Sequence, residues 1–319
     1  MTWLLNRLFD HQHQSTPRFA FQGTINWMRA LAILVEEGDF DHGSLRDFYR
    51  PVQRRQPNEE LDTLAFECML MSMHNVASLH AFQESDDSYS FVRSAIVSWY
   101  YAIYYASKSM IAAATGSDPQ SHAKTGRIWQ TDIAPRGLVV SPFDYNFTDL
   151  TPASIEQNIA ALRGNNTHDL NTTPENLEQA IGAVISYLKG TAEYEKGRLE
   201  EKVKNSSPFR NQGFANFRTM AARELRDREL SKGHVNILVQ AFRYRGKANY
   251  RDAIYLSYGD DNSAVLQTFI IDLAFVASAF MLMVSRYLFK RVIHRNWWNF
   301  VQDVNQNARF SLPFELDEI

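Results

Sequence analysis

Apolar residues recur every three to four positions along most of the chain, the spacing of helices that bury one face. Ile25, Met28, Leu31, Ala32 and Val35 form the first such stripe, which Gly38 ends. Asn58 stands as an N-cap before Glu59 and Glu60, and Leu61, Leu64, Ala65, Cys68, Met69 and Met73 carry the second stripe. Residues 91–114, dense in Tyr, Ile and Ala, predict a third helix closed by Gly116. Further helices are predicted over 177–203, just after Pro174, and over 214–230, 235–258 and 263–292, with a short closing helix at 297–304. Alternation with period two is scarce, and only residues 138–140 suggest a short strand. Residues 116–152, with Pro119, Pro135, Pro142 and Pro152, and the polar stretch 162–174 read as irregular. The pattern therefore predicts an all-α protein.

A length of 319 residues fits one enlarged domain or two, and 45% apolar residues supply enough core to exclude wholesale disorder. The single cysteine, Cys68, excludes an internal disulfide and a cysteine-cluster metal site; within an apolar stripe it reads as inert core. The first residues lack the pattern of a secretory signal, so a cytoplasmic location is expected. Between residues 269 and 284 fourteen of sixteen positions are apolar, but a bilayer span needs roughly 20 and Asp272 would be costly there. This segment is expected to be a buried core helix, not a membrane span. No Walker loop, His-Glu-x-x-His, Gly-x-Ser-x-Gly or Gly-x-Gly-x-x-Gly occurs, and no cofactor is expected. Asp39, Asp41 and His42 are metal-compatible types without a further ligand set, and a polar loop explains them.

The net charge of −3 conceals a division. Residues 36–90 hold twelve acids against four arginines, whereas residues 196–252 hold fourteen cations against six acids. Arg286, Lys290, Arg291 and Arg295 add four more cations without an acid between them. Such separation steers a polyanion to one face or holds two parts of a protein together.

Residues 94–129, SAIVSWYYAIYYASKSMIAAATGSDPQSHAKTGRIW, carry Tyr100, Tyr101, Ala102, Tyr104, Ala106, Lys108, Gly116, Ser121 and His122. Residues 243–288 add Arg243 or Arg245, then Ala248, Asn249 and Tyr250, then a helix with Ala274, Ala277 and Phe280. These two stretches resemble the helical domains called HEPN (higher-eukaryote and prokaryote nucleotide binding). Ser98 stands where the family helix usually has Arg, Tyr105 where it often has His, and Asn249 where it has Asp. The resemblance implies an enlarged HEPN-like bundle. Residues 58–130 and 232–307 would form the bundle, residues 1–57 an N-terminal helical extension, and residues 131–231 a loop plus a basic helical insertion. It also implies a subunit engaging nucleic acid, nucleotide or a protein partner in a bacterial defence or toxin–antitoxin setting, with dimerisation through bundle helices. Its family-motif residues here are Tyr100, Tyr101, Lys108 and His122. On its own chemistry, His122 after the Gly-Ser-Asp-Pro turn reads as a helix cap or a carbonyl partner.

Many members of that family are metal-independent ribonucleases with an Arg and a His four to six residues apart. Histidine exchanges protons near neutral pH, and arginine faces the phosphate as charge builds on it. Arg7 and His13, Arg163 and His168, and Arg228 and His234 have that spacing. The alternative to the binding subunit is therefore a metal-independent endoribonuclease, for which the last pair, Arg228 and His234, is preferred as catalytic, with Arg223, Arg226, Asp227 and Lys232 around it. On a continuous helix its two side chains would diverge by about 120°, so convergence requires a break at Gly233. The nucleic-acid contacts expected are Arg218, Arg223, Arg226, Lys232, Arg243, Arg245, Lys247 and Arg251. Phe209, Phe214, Phe217, Tyr244 and Tyr250 lie among them as stacking groups for RNA or DNA bases. The alternative is a cationic face that pairs with the acidic N-terminal half or with a protein partner.

Overall fold

The computed structural model describes residues 17–38, 40–249, 262–314 and 316, with the side chains of 17–21 and 247–249 outside that description. Twelve helices form among the described residues: α1 Pro17–Glu37, α2 His42–Phe48, α3 Glu59–Gln83, α4 Ser88–Thr115, α5 His122–Ile128, α6 Pro152–Arg163, α7 Leu177–Lys204, α8 Ser207–Asn211, α9 Met220–Leu230, α10 Ile237–Asn249, α11 Ser263–Arg291 and α12 His294–Asn307. The all-α class is thus established. No strand forms among them; Phe147 and Val235 make an isolated antiparallel bridge.

Helix ends follow local chemistry. Asn58 accepts from Leu61 N–H at 3.0 Å to start α3, as the sequence predicts, and Asn176 accepts from Gln179 N–H to start α7. Gly116 ends α4 in the left-handed region at φ 74°. Three expectations change. Residues 138–140 do not pair as a strand, because the Leu138 carbonyl accepts from Tyr49 Oη and Val140 N–H points to Met283 Sδ. Residues 214–219 stay outside the helix, since Gly213 turns the chain at φ 67° and Thr219 caps α9 at Ala222 N–H. The stretch read as irregular after Gly116 instead contains α5, capped by Ser121.

Helix α4 lies at the centre, packed against α3, α10 and α11. Ala102, Ala106, Ala112 and Ala113 are buried along it, so neighbouring backbones approach closely. Ser72 and Ser109 use that closeness, donating across the α3–α4 interface to the carbonyls of Ala102 and Ala65 at 2.8 and 2.7 Å. Helix α11 covers α4, α3 and α1. Its length and composition would suit a membrane, yet 83% of its most apolar window is buried inside the protein. Cys68 is buried in α3, and burial raises its thiol pKa to about 11, which keeps it protonated and inert.

Four aromatic rings from four helices meet in the core. Trp27 of α1 stacks on Tyr187 of α7 at 3.9 Å and meets Trp99 of α4 and Tyr244 of α10 edge-on at 5.7 and 4.8 Å. Through them α1, expected in the N-terminal extension, and α7, expected in the insertion, share one core with α4 and α10. The outer end of α7 carries α8 and α9 on a smaller cluster of Val203, Phe209 and Ala222.

Asp272, buried in α11, pairs with Arg29 at 3.1 Å. Burial outweighs that cation and raises its carboxyl pKa to about 6. As pH falls, the folded chain takes up this proton before the unfolded chain does. Between about pH 6 and the ordinary carboxylate value, the group's contribution to stability therefore falls as pH rises. Asp272→Asn is expected to raise stability at neutral pH by about 3 kcal/mol relative to its effect in acid. Denaturant melts of both proteins across pH check this.

Candidate functional site

Helices α5 and α10 lie side by side against α4. Asn236 fixes their register. Its Oδ1 accepts from Leu238 and Val239 N–H at the start of α10, and its Nδ2 donates to the Gly126 carbonyl of α5 at 2.9 Å. Gly126 is buried and lies in contact range of Val239. The Lys108–Asp118 ion pair, 2.7 Å, ties the α4–α5 connection back to α4. Lys108 is thus a positioning group, with its ammonium already engaged.

This frame brings His122 into a ring of aromatics. Its Nδ1 shares a 2.5 Å hydrogen bond with Tyr100 Oη, and its ring lies 4.6 Å from Tyr104 and stacks on Phe242 at 5.2 Å. Ser121 performs the capping expected of its neighbour, leaving the imidazole for this cluster. Nε2 has no hydrogen-bond partner among the described residues. Burial first, then the Arg245 cation, holds His122 below the ordinary imidazole range, so it is neutral at pH 7. Burial raises the Tyr100 hydroxyl, which therefore stays protonated.

Arg245 lies over Tyr100 and Tyr101, its guanidinium 5.4 and 5.3 Å from their centroids. Its Nε is buried without a hydrogen-bond partner, and no carboxylate pairs with it among the described residues. Phe242, one turn earlier, remains 42% exposed. Lys124 and Arg127 are exposed on one face of α5 and form no ion pair among the described residues. At the far end sits His234, held by the Phe147–Val235 bridge and by Gly233, which is packed against Leu150 and Leu199. Burial lowers its pKa most; Glu195 acts to raise it and Arg127 to lower it.

The preferred catalytic pair is not assembled. Arg228 is exposed beside Lys202 and Ser206 in a small groove of α7–α9, whereas the charged groups acting on His234 are Glu195 and Arg127. Helix α9 ends at Leu230 and a turn follows, after which His234 feels charge from Glu195 of α7 and Arg127 of α5, and none from Arg228. Arg163 and His168 both pack at Gly182 of α7: Arg163 donates to the Gly182 carbonyl and Ser186 Oγ, and the His168 Cβ closes over the glycine. Their contacts hold a loop to a helix. Arg7, His13 and Arg251 lie outside the described residues, as does the side chain of Lys247.

The remaining cations divide. Arg243 is sandwiched by Tyr187 and Tyr194 at 5.6 and 5.1 Å and donates to Thr191. Lys232 pairs with Glu229, and Arg226 pairs with Asp227 over the Phe217 ring. Phe209, Phe214 and Phe217 contact one another instead of standing free for bases. Arg218 and Arg223 are exposed at the α9 tip without an ion pair among the described residues. No ion pair among the described residues joins the acidic segment 36–90 to the basic segment 196–252, and no group of three potential metal-ligating side chains occurs among them.

Lys124 and Arg127 were not singled out from the sequence. The usable signal was Ser121 as an N-cap followed by two cations three residues apart, which predicts a short helix with one cationic face. Compared with known proteins, the chain matches no family profile, no curated protein and no solved structure.

Proposed function

We propose that this all-α protein engages single-stranded nucleic acid, or a nucleotide, across the α5–α10 face. One observation carries the reading: Arg245 lies uncommitted over two tyrosines, beside the open nitrogen of His122 and the exposed ring of Phe242. A guanidinium held this way presents donors to a phosphate, and Phe242 offers a face on which a base stacks. Lys124 and Arg127 extend the positive track along α5 toward His234. The HEPN-like setting of bacterial defence or toxin–antitoxin function belongs to the same proposal and rests on the resemblance of residues 94–129 and 243–288.

The test is fluorescence anisotropy with a labelled uridine-rich oligonucleotide. Affinity is expected to fall with log salt by about 0.7 log units for each phosphate contacted. It is also expected to rise as pH drops below the ordinary imidazole value, because His122 and His234 become cations late, at lowered pKa, and then attract phosphate. His122→Gln is expected to weaken that rise. Binding that ignores both salt and pH removes the proposal.

A further inference from the structure

An acidic groove and a cationic tip lie on different helices, and no ion pair among the described residues joins them. The groove, about 630 Å³, runs between α3 and α12. Phe66 and Phe300 stack at 4.6 Å on its floor, and Leu70, 40% exposed, lines its edge. Glu59, Glu67 and Asp303 stand exposed along it without ion-pair partners among the described residues. Asp62 is already bound to Arg55 and Asn296, and Arg295 is the cation in the lining.

At the α9 tip, Met220 is 70% exposed and flanked by Arg218 and Arg223. Glu224 is the exposed acid beside them. An apolar side chain between two cations complements an apolar floor between carboxylates. The tip lacks what a nucleic-acid surface would need beside its charge, because its phenylalanines are turned into their own cluster. Helix α9 packs on α7, whereas the groove helix α3 packs on α4 and α11, so the two surfaces belong to different parts of the bundle.

We infer that the α9 tip of one copy seats in the α3–α12 groove of another, with Met220 on the Phe66–Phe300 floor and Arg218 and Arg223 against Glu59, Glu67 and Asp303. The two surfaces differ, so the contact is heterologous and propagates into a ring or an open chain of copies.

The test is sedimentation of the full chain at low and high salt, with circular dichroism confirming the fold of every variant. Wild type is expected to self-associate with concentration, and less so at high salt. R218E/R223E and E59K/E67K are each expected to weaken association by about tenfold or more, and an equimolar mixture of the two to recover it, because reversed tip then meets reversed groove. A wild type that stays monomeric at low salt overturns the inference. So does association that neither variant changes, or a mixture that fails to recover. Loss of oligonucleotide binding in R218E/R223E with association intact would assign the tip to nucleic acid and equally overturn it. Binding at the α5–α10 face is read separately by anisotropy, so failure here leaves that reading standing.

Discussion

Arg245→Gln is expected to weaken oligonucleotide binding by roughly tenfold to a hundredfold, the range that losing a charged hydrogen-bond donor to phosphate produces. The size follows from the way the cation is held. Its guanidinium rests on Tyr100 and Tyr101, so it is oriented before any ligand arrives and little side-chain freedom remains to be lost. Lysine at this position keeps the charge but loses the planar fork and the stacking, so Arg245→Lys should recover only part of the affinity. The variant also gives up the ring contacts, a stability loss on the order of 1 kcal/mol, which thermal melts separate from binding. Affinity equal to wild type in a folded Arg245→Gln protein would take Arg245 out of the interface. A loss of the same size in Arg243→Gln would point instead to a general charge effect, since Arg243 is held between Tyr187 and Tyr194 and bonded to Thr191.

Asp62→Ala is expected to cost about 3–5 kcal/mol of folding stability. Asp62 and Arg55 are both nearly buried, with side chains 4% and 10% exposed. Arg55 also donates to the carbonyls of Ala112 and Ala113, and Asn296 donates to the second oxygen of Asp62. The pair thus closes the C-terminal end of α4 and ties α3 to α12. Removing the carboxylate leaves a buried guanidinium with carbonyls alone, which is why the single variant should be severe. Removing both charges, as in Arg55→Met with Asp62→Ala, should cost less than Asp62→Ala alone, because no orphaned charge remains. Chemical denaturation of the three proteins reads the difference. Equal losses in single and double variants would mean that packing, not charge, sets the cost.

The long helices were legible in the sequence because each has its own apolar stripe and its own stop, whereas the short α2, α5 and α8 lack a stripe long enough to read. Asn58 as a cap and Gly116 as an end are local chemistry, and both stand where expected. What the stripe does not encode is which side chain takes which backbone group. The segment 138–140 has strand-like residues, yet Tyr49 and Met283, distant in sequence, take its hydrogen-bonding groups. The segment 214–219 has helical spacing, yet Thr219 restarts the helix one turn later.

The candidate site was legible only in its parts. Tyr100, His122 and Arg245 were each named from a resemblance, but nothing in their spacing says that residue 245 returns to residue 100. That depends on Asn236 tying the start of α10 to the Gly126 carbonyl of α5. Spacing along the chain favoured Arg228 with His234 instead, and the turn after α9 sends those two side chains to different neighbours. Charge counting alone likewise gave a uniform basic half. In the structure, several of those cations pair with carboxylates three residues away or lie between rings.

Ultraviolet cross-linking of the full chain to a uridine-rich oligonucleotide, with mass-spectrometric mapping of the attached residues, tests the central claim most directly. Adducts are predicted at Phe242, His122 and their neighbours in α5 and α10. Adducts confined to other helices, with none on α5 or α10, would contradict it.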